Sequence, residues 1–229
     1  MNQDKIWDYF QNDDRGIATF RVALPRYSFV AKQIPKHGSV LNIGVGSGGL
    51  ETLLHAAGRE VFSVDPSEKT ITALSARLGW PAGRARVGYS QALPFGDQCF
   101  DVVVMSEVLE HLPDDVLTST LSEVARVLKP GGRFMGTVPA DEDLHAETVV
   151  CPACGDIHHR WGHLQRFSAD RLGCLVSSKF HAVVVQRVMF RMGSHLNWKG
   201  RLAWLAKRLA LAIGIHGKDE TLYFHAIRQ

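Results

Sequence analysis

Short, largely apolar runs alternate along this chain with amphipathic stretches of helical period. Residues 40–43, 61–64 and 101–105 are mostly apolar without a polar alternation, broken only by Asn42, Ser63 and the leading Asp101, as expected of strands buried on both faces of a parallel sheet. Between them, residues 49–57, 67–78 and 114–128 place apolar side chains on one helical face, and Ser67 sits where a cap for the second helix is needed. Pro130-Gly131-Gly132 predicts the stop of the third helix. A short third strand is expected at residues 85–88 and a fifth at 133–138. Residues 181–190 and 221–227 read as two more strands. Residues 1–37 read as a helical cover over the sheet edge, with Trp7, Tyr9, Phe10 and Phe20 as its apolar anchors. No repeat or linker interrupts the pattern, which predicts one domain over residues 1–229.

Composition narrows this picture without changing it. The 229 residues are 45% apolar and 21% charged, enough for a substantial core and unlike a disordered chain. A net charge of +3 is too small to imply a nucleic-acid partner. No apolar run approaches the roughly 20 residues of a membrane span. The acidic, polar start MNQDKIWDYFQNDD argues against a secretory leader. The 4 cysteines then point to a reducing, cytoplasmic setting, where a close pair is a metal or redox site more often than a structural bridge.

The chemistry begins at residues 40–49, VLNIGVGSGG, and at Asp65, which closes the next apolar run, VFSVD. A strand, a glycine turn, a helix and a second strand ending in a carboxylate form a site for a nucleoside cofactor. Glycines allow close approach of the backbone, and the carboxylate can accept from both ribose hydroxyls. Gly44, Gly46 and Gly49 satisfy G-x-G-x-x-G, so on this turn alone a dinucleotide and S-adenosylmethionine are both open.

The downstream series separates them. SQALPF at residues 90–95, FDVVVMSEVLEHLP from Phe100, and RVLKPGG at 126–132 follow Asp65-Pro66-Ser67 in order. This ordered set resembles the class I S-adenosylmethionine-dependent methyltransferases, over residues 38–140. The resemblance implies an α/β fold: a doubly wound, Rossmann-like, seven-stranded sheet, mostly parallel with an antiparallel closing strand. It implies that Gly44 and Gly46 shape the cofactor turn, that Asp65 holds the ribose, and that Pro66 walls the adenine. Ser90 and Gln91 would meet the adenine edge, and Ser106 would lie at the cofactor end of strand four. Two positions depart from the family pattern. Asn42 stands where an acid usually faces the methionine amino group, and Tyr89 where an acid usually meets the adenine amine.

Methyl transfer to a hydroxyl requires alignment and removal of one proton. His111, beside Glu107, is the candidate base, since imidazole titrates near neutrality. E-x-x-E-H with a distal histidine also resembles the metal-dependent O-methyltransferases of the ubiquinone-pathway and small-RNA 2′-hydroxyl types. That resemblance implies a Mg2+ held by Glu107, Glu110, His111 and His163. A competing metal site lies in the insertion at residues 141–166. There the knuckle Cys151-Pro-Ala-Cys154-Gly, with His159 and His163, approximates a four-ligand structural zinc site. On the family alignment His163 and Arg166 would face the acceptor pocket. Residues 191–218, with Lys199, Arg201, Lys207 and Arg208 among tryptophans and leucines, read as a lid, a homodimer face, or a surface that meets a membrane or lipid-linked substrate.

The expectation is therefore a methyltransferase acting on a hydroxyl of a small metabolite or glycan. Asn42 and Tyr89 keep open a non-catalytic cofactor-binding sensor or partner subunit. A nicotinamide oxidoreductase is disfavoured by the LPF and LKPGG segments.

Overall fold

The computed structural model of the chain describes residues 3–12, 23–190, 198–217 and 220–229; Phe20, expected as an anchor, lies outside them. Its strands are β1 (Ser39–Ile43), β2 (Glu60–Asp65), β3 (Ala85–Val87), β4 (Phe100–Ser106), β5 (Leu128–Pro139), β6 (Thr148–Val150), β7 (Ile157–His159), β8 (His181–Val188) and β9 (Thr221–Ile227). Its helices are α1 (Gln3–Asn12), α2 (Leu24–Gln33), α3 (Gly49–Ala56), α4 (Glu68–Leu78), α5 (Asp114–Val127), α6 (Ala169–Ser177) and α7 (Trp198–Ala212). Seven strands form one sheet in the order β3-β2-β1-β4-β5-β9-β8. The first five run parallel, and β9 enters antiparallel between β5 and β8. This is the doubly wound sheet that the sequence predicts.

Successive strand residues feed opposite layers, as the two-residue period requires. Leu41, Val103 and Phe134 pack toward Leu117, Leu121 and Val124 of α5 and Leu172 of α6. Their chain neighbours Val40, Val102 and Met135 pack toward Val30 of α2, Leu50 and Leu54 of α3, and Leu74 of α4. Each such side chain, when fully buried, contributes about 1.5–3 kcal/mol. All five positions of β1 are buried, which is why its sequence shows no polar alternation.

Local signals act where the chemistry places them. Ser67 Oγ accepts from the Thr70 amide at 3.2 Å and caps α4. Ser168 does the same for α6 through the Arg171 amide. Pro130-Gly131-Gly132 plays a different part from the one expected. α5 ends earlier, at Val127, and Leu128 already pairs with Phe100. The Pro-Gly-Gly stretch is a bulge inside β5, where the pairing with β4 shifts register and Gly131 takes a φ of +75°.

β1 has β2 on one side and β4 on the other, so the sheet grows in both directions from it. Ligands of such sheets bind beyond the carboxyl ends of the strands at this switch point. Among the described residues, no helix is long and apolar enough to cross a membrane.

Candidate active site

A cavity of about 910 Å³ opens at the switch point. Its wall contains Asn42, Gly44, Gly46, Asp65, Pro66, Ser90, Gln91 and Ser106, all the cofactor residues expected from the sequence, together with Glu107, His111 and His163. Tyr89 also lines it and is 48% exposed, so it packs in no core.

At one end lies the glycine turn. The Gly44 amide donates to the Val64 carbonyl at 2.9 Å and ties the turn to β2. Gly44 has a φ of +86°, and a Cβ there would meet Val108 Cγ2 at 2.6 Å, so a side chain is excluded twice over. Asp65 is 2% exposed. Its Oδ2 accepts from the Val45 amide at 2.9 Å and from Gln11 Nε2 at 3.3 Å, and its Oδ1 accepts from the Ser67 amide at 2.9 Å. Burial pushes this carboxyl up, and the three donors pull against that rise. Gln11, on α1, belongs to this site but carried no signal in the sequence, because only the fold brings it 54 positions along to Asp65.

Asn42 is also buried. Its Nδ2 donates to the Gly44 carbonyl at 3.0 Å and to Glu51 Oε1 at 2.7 Å, while its Oδ1 has no protein partner. Ser90 Oγ pairs with Thr120 Oγ1 at 2.8 Å, and Ser106 Oγ with Thr137 Oγ1 at 2.7 Å.

At the other end, β4 runs into Glu107, whose φ of +57° turns the chain sharply into a single 3-10 turn, Leu109–His111. That turn, rather than the start of a helix, carries Glu110 and His111. Glu110 is fully buried, and neither carboxylate oxygen has a hydrogen-bond partner. Burial first, and the neighbouring Glu107 second, hold its carboxyl well above the ordinary range. His111 Nδ1 lies 3.2 Å from the Gly162 carbonyl, an acceptor, so Nδ1 carries the proton. Nε2 is then a lone pair, and it faces Glu110 Oε1 at 3.8 Å. Burial, with His163 and His159 nearby, keeps His111 neutral by pushing its pKa well below 6.5.

His163 reaches this turn because the backbone delivers it. The Leu164 and Gln165 amides both donate to the Glu110 carbonyl, at 2.7 and 3.0 Å. Glu110, His111 and His163 consequently place ligand atoms within 4.8 Å of one another. Glu142, His159 and His163 form a second such group. His163 Nδ1 is hydrogen-bonded to Glu142 Oε2. Arg26, from α2, pairs with Glu107 at 3.4 Å. Trp7 packs edge-on against His111 with ring centres 4.3 Å apart.

The zinc arrangement expected in the insertion does not form. Cys151 and Cys154 lie at the tip of the β6–β7 hairpin, and among the described residues no group of three ligand side chains within reach of one ion includes a cysteine. The knuckle turn itself is present: the Gly155 amide donates to the Cys151 carbonyl at 2.8 Å, and Gly155 has a φ of +73°. Its histidines turn away. His159 Nδ1 accepts from the His163 amide at 3.1 Å, and its Nε2 faces Glu142 Oε1 at 3.6 Å. Sequence spacing put all four in reach, but the strand pairing of the hairpin sends His159 inward from its tip. Arg166 is corrected too: its side chain is 62% exposed, paired with Asp141 at 3.8 Å, and absent from the cavity wall.

Comparison with known proteins agrees with the fold and the turn. Residues 41–136 match the model of a methyltransferase domain family. An uncharacterised methyltransferase of Bacillus mycoides is 29% identical over 168 residues, 70% of this chain and 75% of that protein. The ubiquinone biosynthesis O-methyltransferase of Aromatoleum aromaticum is 35% identical over 103 residues, and the match spans 43% of each chain. A Thermotoga maritima crystal structure, described as an S-adenosylmethionine-dependent methyltransferase, superposes over 98% of this chain and 99% of its own. Its TM-score is 0.68 at 20% identity, which shows a shared fold. With the ordered glycine turn, Asp65, LPF, LEH and LKPGG segments around one cavity, the chain belongs to the class I S-adenosylmethionine-dependent methyltransferases.

Proposed function

We propose that this enzyme methylates a hydroxyl of a small metabolite or glycan, and that Glu110, His111 and His163 hold a divalent cation, the Mg2+ that the resemblance implies, beside the methyl donor; Glu107, expected as a fourth ligand, stands outside this group and pairs with Arg26. The observation that carries this reading is a pair of acceptors, His111 in the cavity wall and Glu110 buried behind it. His111 Nε2 and Glu110 Oε1 face each other 3.8 Å apart with no donor between them. A buried carboxylate without a partner costs several kcal/mol, so it either takes a proton or meets a cation. Neutral imidazole nitrogen and carboxylate oxygen are the donor atoms such an ion accepts. A cation there would lower the pKa of an acceptor hydroxyl and fix its direction.

The chain's own residues do the rest. Asp65 and the glycine turn orient the nucleoside of the donor, with Pro66, Ser90 and Gln91 around the base. The Gly162 carbonyl fixes the His111 tautomer. Glu142 engages Nδ1 of His163, so that Nε2 is the atom left for an ion. Trp7 and Trp161 line the cavity beside the cluster and exclude water from it. The likeness to an O-methyltransferase over 103 residues supports oxygen as the target atom.

Metal dependence tests the reading. Protein stripped with a chelator should bind S-adenosylhomocysteine normally, methylate no acceptor, and regain activity with added Mg2+ or Mn2+. Full activity after stripping would remove the cation and return His111 to the role of general base.

A further inference from the structure

The mechanism leaves one buried charge unused. Glu51, on the first turn of α3, is 0% exposed and forms no part of the cavity wall. Its Oε1 accepts from Asn42 Nδ2 at 2.7 Å and from Ser63 Oγ at 3.0 Å, while Oε2 has no partner. Among the described residues no cation pairs with it. A buried carboxyl of this kind is destabilising, and its place in the first turn of α3, beside its own backbone amide, offsets only part of that cost.

Its effect on Asn42 is specific. The nitrogen end of that amide meets two acceptors, Glu51 Oε1 and the Gly44 carbonyl. An amide offers donors at one end only, so its oxygen must take the other direction. That oxygen is buried and unpartnered, on a side chain that lines the cavity at the glycine turn. We propose that Glu51 is a positioning residue for the amino-acid end of the cofactor: from beneath the turn it fixes Asn42 with the amide oxygen toward the methionine ammonium, and supplies from behind the negative charge that asparagine lacks. This rests on the cavity being the S-adenosylmethionine site.

The charge state supports the assignment. Burial raises the Glu51 carboxyl to about 7, against the hydrogen bonds from Asn42, from its own backbone amide and from Ser63. Asp65 of β2 and Tyr27 of α2 are the other titratable groups that face it, and both hold their protons more tightly than usual. An ammonium beyond Asn42 favours the ionised form.

Two ligands with the same nucleoside separate this role from a structural one. S-adenosylhomocysteine carries the amino-acid end, and 5′-methylthioadenosine does not. In calorimetric titrations, Glu51→Gln should weaken S-adenosylhomocysteine by about tenfold or more and leave 5′-methylthioadenosine within about twofold. Glutamine can donate to Asn42 and turn its amide around. The double variant Asn42→Asp with Glu51→Gln places the charge directly at the turn and should restore the preference. In the wild type, the ratio of the two affinities should rise from about pH 6 to about pH 8, and in Glu51→Gln it should stay flat. Equal losses for both ligands, or no loss for either, would overturn the proposal. Wild-type protein that binds neither ligand would instead overturn the cofactor reading on which it rests.

Discussion

Asp65, in the wall of the cavity, and Glu110, buried behind the wall at its other end, are carboxylates treated in opposite ways. Asp65 has three donors from its own chain, two of them backbone amides. Glu110 has none, and a second acceptor, His111 Nε2, is turned toward it. The first is completed by the protein, so its charge and direction are set before any ligand arrives. The second is incomplete as protein chemistry and is finished by a cation or a proton. On the proposed reading, the difference separates the part of the site that recognises from the part that activates.

Removing the incomplete end should have the largest effect. Glu110→Gln should lower turnover at least about 10²-fold and leave S-adenosylhomocysteine affinity unchanged, while unfolding of the metal-free protein shifts to higher denaturant because a neutral amide replaces a buried unpartnered acid. Rate assays, titration and urea unfolding measure the three. A loss of stability with retained activity would show that Glu110 serves packing.

Changing the complete end should act on binding. Asp65→Ala should weaken S-adenosylhomocysteine by about tenfold to a hundredfold, the worth of a charged hydrogen bond. Unchanged affinity in titration would remove the ribose role.

Acidity sharpens the contrast further. The folded-state carboxyl of Glu51 is raised to about 7 from 4.5. Its contribution to stability is therefore fully present below the unfolded value and is lost as pH rises through the folded one. Between about pH 4.5 and pH 7 the wild type should lose roughly 3 kcal/mol relative to Glu51→Gln, which carries no titrating group there. Parallel unfolding curves for the two proteins across this range would refute the burial argument. The smallest effect belongs to the hairpin. Cys151→Ser, at the hairpin tip, should leave melting temperature and activity essentially unchanged. A large fall in melting temperature would restore a structural metal to the knuckle.

The sheet was readable because strands buried on both faces leave a nearly continuous apolar signature, interrupted only by site residues and neighbours such as Asn42 and Ser63, and Ser67 named its helix start by local chemistry alone. The glycine turn and Asp65 were readable for the same reason: they lie within 22 residues on consecutive elements, Gly44 to Asp65. Distant partners were not. Gln11, Arg26 and Glu142 reach the site through folding, and no local pattern marks them. The cysteine knuckle misled because its spacing describes a loop and says nothing of which way a following strand faces. His159 alternates inward on β7, and that single register decides against the cysteines.

The left-handed backbone at Glu107 carries a separate implication. A non-glycine residue there sits in a conformation that costs about 1 kcal/mol or more. Glycine would relax it, but would also remove the carboxylate that lines the cavity and pairs with Arg26. A library of variants screened for heat resistance alone should accumulate glycine at 107, and the survivors should be sturdier proteins that have lost their trade.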